Sequence, residues 1–183
     1  MNKVIAIVGM CGSGKSIASD ILVEKGYEKV YFGGVTMEKL KESNLEVTPE
    51  NEKMMREKLR ADLGMGAFAK ILLPRIKEFA KTKNVVLDGL YSWDEYLIIE
   101  EELKENLLVI AIVTDKQLRY SRLSSREVRP LTPEEAKSRD LAEIENISKA
   151  PPIAYADYYV CNNGTLDEYK LRIDEILKEI EGK

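Results

Sequence analysis

Residues 4–8 read Val-Ile-Ala-Ile-Val, and the next eight, 9–16, read Gly-Met-Cys-Gly-Ser-Gly-Lys-Ser. An apolar run with no polar alternation describes a strand buried on both faces, which requires helices on both sides of its sheet. The run stops at a turn holding Gly9, Gly12 and Gly14. Lys15 to Lys25 then carries Ile17, Ala18, Ile21 and Leu22 at helical spacing, with Gly26 as a stop. A buried strand feeding a glycine-rich turn and then a helix confines the chain to an α/β layer architecture.

The turn also carries chemistry. Gly9, Gly14, Lys15 and Ser16 fit the spacing Gly-x-x-x-x-Gly-Lys-Ser/Thr, with Gly12 in addition. Glycines let the backbone amides across Met10, Cys11, Gly12 and Ser13 turn inward around a phosphate, and the helix beginning near Lys15 adds the positive end of its dipole. In that arrangement Lys15 reaches the β- and γ-phosphates of ATP, and the Ser16 hydroxyl takes a position on Mg²⁺. Cys11 occupies a variable position and reads as a small filler. A second metal partner is expected in Asp88, which follows Val85-Val86-Leu87 and so stands at the carboxyl end of a buried strand. Asp115, after Val109–Val113, is a weaker competitor that could equally cap the next helix.

The remaining strand-like segments are 29–32, 84–87, 107–113 and 157–161, joining 3–8 in a mainly parallel sheet of about five strands. Thr48-Pro49, Thr132-Pro133-Glu134-Glu135 and Thr165-Leu166-Asp167-Glu168 mark helix starts. Gly64-Met65-Gly66 divides the helical stretch between Pro49 and Lys83, and Pro74 is expected to kink its second half. Met54, Met55 and Met65 read as core or gap-filling residues.

The chain has no histidine and two cysteines, Cys11 and Cys161. Ser-His-Asp, Cys-His and most catalytic zinc chemistry are thereby excluded, as is a disulfide framework. Chemistry is left to carboxylates, lysine, arginine, hydroxyls, backbone dipoles or a borrowed metal. A net charge of −4 argues against a broad nucleic-acid-binding surface. No apolar run approaches the roughly 18 residues of a membrane span, and the N-terminal residues lack the pattern of a secretion signal. A cytoplasmic protein with neither membrane nor nucleic-acid partners is expected.

Arg119, Arg122, Arg126 and Arg129 recur at helical spacing, with Glu127 the one acid inside the run. Such a face makes sense if an anion neutralises it, and phosphoryl transfer supplies one in the transition state. Arg139 follows on the next helix.

At these residues the sequence resembles the P-loop kinases of nucleotides and related small molecules. Residues 122–140, RLSSREVRPLTPEEAKSRD, look like the lid of dephospho-CoA kinases, and residues 156–165, ADYYVCNNGT, look like their C-terminal strand and turn. The resemblance implies that Asn162 lies near the adenine and that Arg122 and Arg126 clamp phosphates. Over nearly its whole length, most clearly across 47–70, the chain is similar to an uncharacterised group of archaeal nucleotide-kinase-like proteins. That similarity implies one P-loop domain over 1–183 with strand order 2-3-1-4-5, a mobile lid at about 119–140 and a separate acceptor-binding helical segment at about 34–83.

Two departures bear on the acceptor. Dephospho-CoA kinases resemble one another in carrying an aspartate after the second strand; here Gly33-Gly34 stand there. A hydroxyl acceptor wants a general base, whereas a phosphate acceptor is already anionic. Related kinases also often place an arginine soon after the Asp-Gly pair, where this chain has Leu90-Tyr91. Acceptor-side candidates are Arg56 and Arg60, four apart on one helix, and Arg75 behind Pro74. The expectation is ATP- and Mg²⁺-dependent transfer to a small nucleotide-like acceptor. Transfer to a hydroxyl, and an ATP-binding switch acting on a protein partner, are the alternatives. A GTPase switch is disfavoured, because the one Asn-Lys pair is Asn2-Lys3, ahead of the first strand.

Overall fold

β1 (Val4–Val8) is buried along its whole length, and its alternating side chains enter two separate cores. Val4, Ala6 and Val8 pack on one face of the sheet, and Ile5 and Ile7 on the other. This is the two-layer burial that an unbroken apolar strand demands. In the computed structural model, which describes residues 1–182, five parallel strands lie in the order β2-β3-β1-β4-β5. The others are β2 (Glu28–Tyr31), β3 (Val85–Asp88), β4 (Leu107–Val113) and β5 (Tyr158–Cys161). β1 pairs with β3 on one side, Ile7 opposite Asp88, and with β4 on the other, Val8 opposite Ala111.

Helices α1 (Lys15–Glu24) and α9 (Leu166–Glu181) cover one face. The other is covered by α2 (Gly34–Glu42), α3 (Pro49–Leu63), α4 (Ala67–Phe79) and α5 (Trp93–Leu103). Near the carboxyl edge of the sheet, α6 (Lys116–Ser124) and α7 (Pro133–Glu145) enclose a small core of Cys11, Leu123 and Ala136, and α8 (Ala150–Ala154) leads into β5. Among the described residues no helix is long and apolar enough to cross a membrane.

Local chemistry accounts for the boundaries. The Thr132–Glu135 and Thr165–Glu168 capping boxes both form, Thr48 caps α3 ahead of Pro49, and Gly64 ends it. Ser92 and Glu95 make a further box at the start of α5, a Ser-x-x-Glu pattern readable in the sequence but not singled out. Two expectations are corrected. Ile17 is 42% exposed, so the buried face of α1 consists of Ala18, Ser19, Ile21 and Leu22; Ser19 is accommodated by donating to the Lys15 carbonyl. Met54 is exposed, whereas Met55 is buried. Pro74 lies inside helix α4 and does not end it.

Ser92 is fully buried and its hydroxyl accepts from the Glu95 amide at 3.1 Å. Ser92→Ala should therefore lower the unfolding free energy by about 1–2 kcal/mol with the denaturant slope unchanged, read from urea melts.

Candidate functional site

The loop after β1 is held from behind by four donors that the chain brings from far away. Asn162 Nδ2 and Thr114 Oγ1 donate to the Ser13 carbonyl at 2.8 and 3.0 Å. Tyr169 Oη donates to the Gly14 carbonyl at 3.0 Å, and Arg119 Nη1 to the Cys11 carbonyl at 3.0 Å. In a planar trans peptide the N–H points opposite to the C=O. Carbonyls fastened outward therefore turn the Gly12, Gly14 and Lys15 amides the other way, as an anion-binding nest requires. Gly14 sits at φ +98°, and a Cβ there would collide with the Asn162 amide. No other residue type fits.

The loop opens onto a cleft of about 1150 Å³ bounded by α1, β2, the ends of β3 and α6, and by α2, α3 and α7. Lys15 lines it, and its ammonium donates to the Met10 carbonyl at 2.9 Å. Burial first, and then the charge of Lys149, bring its pKa down to about 7, against the opposing pull of Glu143, Cys11 and Asp88. Ser16 and Asp88 line the same cleft. Asp88 is buried and ion-paired to Lys29 Nζ at 3.0 Å. Burial disfavours the Lys29 charge, but its hydrogen bonds to Asp88 and Asp20 outweigh that and raise its pKa. No cluster of three or more His, Cys, Asp or Glu exists among the described residues. A hydroxyl and one carboxylate do not make a protein cage. They do fit Mg²⁺, which keeps waters and takes phosphate oxygens.

The arginines are distributed differently from the expected single helix face. α6 ends at Ser124, so Arg126 and Arg129 lie in the segment that follows, with Arg129 at φ 53°. Arg119 faces away from the cleft: both its terminal nitrogens pair with Asp140 at 2.8 and 2.7 Å, so α7 supplies its counter-charge. Arg122, Arg126, Arg129 and Arg139 do converge on the cleft, and Arg56 and Arg60 reach it from α3. Arg75 does not; it forms a fork with Glu38 on the surface. Asn162, expected near an adenine, uses its amide to hold the loop, and its carbonyl accepts from Arg122 Nη2 at 3.0 Å. Asp115 stands at the start of α6 without a capping side-chain bond.

Charge balance is the most distinctive property of the cleft. Nine cationic side chains line it against four acidic ones. Each acid already has a partner: Glu52 with Arg129 and Arg56, Glu57 with Lys53, Asp88 with Lys29, and Glu143 with Lys149 and Arg139. By contrast Lys15, Arg60, Arg122 and Arg126 pair with no carboxylate among the described residues. Arg60 lies over the Phe68 ring at 5.4 Å, Arg126 reaches the Cys11 thiol at 3.9 Å, and one buried nitrogen each of Arg60 and Arg122 has no hydrogen-bond partner among the described residues.

Sequence reasoning missed Lys29, Glu143 and Lys149. Lys29 had a readable signal, since β2 is expected beside the strand bearing Asp88. Lys149, in a loop before a short helix, had none.

The sheet order, the braced glycine loop and its lysine define a P-loop kinase-like fold. A family model described as an AAA domain matches residues 5–144. The UPF0200 protein TK1334 of Thermococcus kodakarensis is 32% identical over 98% of this chain and 99% of its own length. The UPF0200 protein of Methanoculleus marisnigri is 36% identical over 99% and 98% respectively. The chain belongs to the UPF0200 family and carries the AAA domain. Among solved structures, TT1252 from Thermus thermophilus matches with a TM-score of 0.68 at 18% identity, covering 97% of both chains. Shikimate kinase from Acinetobacter baumannii in complex with shikimate matches at 0.62 and 18% identity, covering 100% of this chain and 94% of its own. At that identity these likenesses establish the fold.

The lowered pKa of Lys15 has two consequences. Between pH 7 and 10.5 the unfolded chain binds this proton and the folded one releases it, so the contribution of Lys15 to stability rises with pH across that window. A polyphosphate ligand in the cleft would restore the charge. Binding of Mg·ATP should take up more proton at pH 8 than at pH 6, because the free Lys15 side chain is less protonated at the higher pH. Calorimetry in buffers of different ionisation enthalpy measures this, and equal uptake at the two pH values would contradict it.

Proposed function

We propose that this protein transfers the γ-phosphoryl group of ATP to a small nucleotide-like acceptor that presents a phosphate. The observation that carries the reading is the charge of the cleft: its acids are neutralised internally, while four of its cations have no carboxylate partner among the described residues. That is the complement of a polyanion, and a kinase brings two phosphorylated molecules together.

In this reading Lys15 exchanges the Met10 carbonyl for triphosphate oxygens, alongside the inward amides of the loop. Adenine would lie against the turn that begins at Asn162, beside Arg122. Ser16 and Asp88 would hold Mg²⁺, which when bound draws charge from the phosphate oxygens. Arg122 and Arg126 turn onto the transferring group as the segment about 119–140 closes and excludes water. Arg56 and Arg60, within the segment about 34–83, receive the acceptor phosphate.

The acids argue against a hydroxyl acceptor. Burial works against the Glu143 charge, but Lys149 and Arg139 overcome it and hold the carboxyl below its ordinary range, which makes Glu143 a poor base. β2 delivers Gly33 at the start of α2 in place of a carboxylate. An anionic acceptor needs no base. Two free thiols and dependence on ATP suit the cytoplasm.

The test offers ATP and Mg²⁺ with AMP, CMP, UMP, GMP or dephospho-CoA separately. Transfer to at least one monophosphate is expected, abolished by Lys15→Ala. Transfer to dephospho-CoA alone would establish a hydroxyl acceptor instead, and slow hydrolysis accelerated by a protein partner would establish a switch. Arg126→Ala should lower turnover by about 10²–10³-fold while ATP affinity changes less than about threefold, as for a group that acts on the transition state. An equal loss in both would remove Arg126 from that role.

A further inference from the structure

We propose that Lys149 is a second lysine of the phosphoryl site, donating from its ammonium to the γ-phosphoryl group in concert with Lys15. The proposal rests on the cleft being an ATP site, and it concerns a residue that neither the glycine loop nor the arginine-rich segment supplies.

Lys149 is 3% exposed, yet it lines the cleft. Lysine is almost never buried to this degree unless something holds it. Here Glu143 Oε2 accepts from its ammonium at 2.7 Å, and the Tyr91 ring lies beneath it at 4.8 Å. The backbone is held as well. The Lys149 amide donates to the Glu143 carbonyl at 3.1 Å, and the Ser148 carbonyl accepts from the Trp93 amide at 3.2 Å. Ser148 is left at φ 50°, in the left-handed region that side chains avoid.

Tyr91 fixes where this cation stands. Gly89 has φ +98°, and a Cβ there would lie 2.8 Å from the Tyr91 hydroxyl, so the ring folds back over the turn that follows Asp88. Lys149 rests on that ring, at the carboxyl end of β3 and next to the end of β1 where the phosphate loop begins. Tyr91 offers a ring face, and a distant loop supplies the charge.

A purely structural ion pair fastening α8 to α7 is the competing explanation. Buried pairs contribute little over apolar packing, and this one borders the cleft that receives Lys15. After burial, Lys149 is the strongest influence lowering the Lys15 pKa. Two ammonium groups that repel in the free cleft are relieved by a polyphosphate between them.

In the transfer, an acceptor phosphate oxygen forms a bond to the γ-phosphorus. The bond from that phosphorus to the β–γ bridging oxygen breaks, and its electron pair leaves with ADP. Lys149 hydrogen-bonds a non-bridging γ-oxygen, with Glu143 and Tyr91 keeping it in place. An anionic acceptor moves no proton.

The experiment compares wild type, Lys149→Met, Lys149→Arg and the double variant Lys149→Met/Glu143→Gln, which removes the pair without stranding a buried carboxylate. Thermal melts confirm folding, and calorimetry compares a β,γ-imido ATP analogue with ADP. Lys149→Met and the double variant should lose turnover by about 10²-fold and the preference for triphosphate over diphosphate by about tenfold, with ADP affinity within about threefold. Lys149→Arg should recover part of both. Wild-type nucleotide preference and turnover in the folded double variant would overturn the proposal, as would equal losses for both nucleotides. Selective loss of triphosphate binding, in a protein whose wild type transfers to no acceptor, would uphold Lys149 and refute the kinase reading. Unchanged turnover in Lys149→Met beside an active wild type would do the reverse, and a wild type that binds neither nucleotide refutes both.

Discussion

The outward fastening of the phosphate-loop carbonyls is the constraint on which the site depends. β1, apolar on both faces, sets the loop at the carboxyl edge of the sheet. A glycine-rich turn left to itself would sample many conformations. Here donors from the end of β4, from α6, from the end of β5 and from α9 fix one of them. The C-terminal half of the chain thus acts on a loop near the N-terminus. A buried arginine, Arg119, is spent on this bracing and is neutralised by Asp140. Breaking such a buried pair by removing one partner typically costs about 3–5 kcal/mol.

Electrostatics then divides the cleft by function. Paired acids hold cations in position without competing for a ligand. Glu52 illustrates this: one carboxylate joins Arg56 of α3 to Arg129, and so ties α3 to the segment that follows α6. Cations that lack a carboxylate cluster around the loop and along α3. Exposed ion pairs such as Lys58–Asp62 are worth little to stability. The cleft pairs matter because they leave a directed excess of positive charge.

Much of this was legible in the sequence. Strand positions, three helix caps, the glycine loop and Asp88 follow from local pattern, because backbone geometry and burial act over a few residues. The arginine-rich run was legible as chemistry but not as geometry. Helical spacing suggested one face over Arg119–Arg129, yet α6 stops at Ser124, and the residues beyond it are positioned by what they meet across the cleft. Arg75 shows the same limit: a plausible cation on a helix beside the cleft, it was taken up by Glu38 of α2.

By itself, then, the sequence determined the layered α/β fold, the phosphate loop, and the absence of histidine and disulfide chemistry, since these rest on residue type and short-range periodicity. Tertiary structure decided which charges cancel and which remain. Lys149, Glu143 and Tyr91 carry no motif, and they line one cleft with Lys15 because the sheet order brings the ends of β1 and β3 side by side. Coulomb interactions depend on distance in space, and only the packed chain sets those distances.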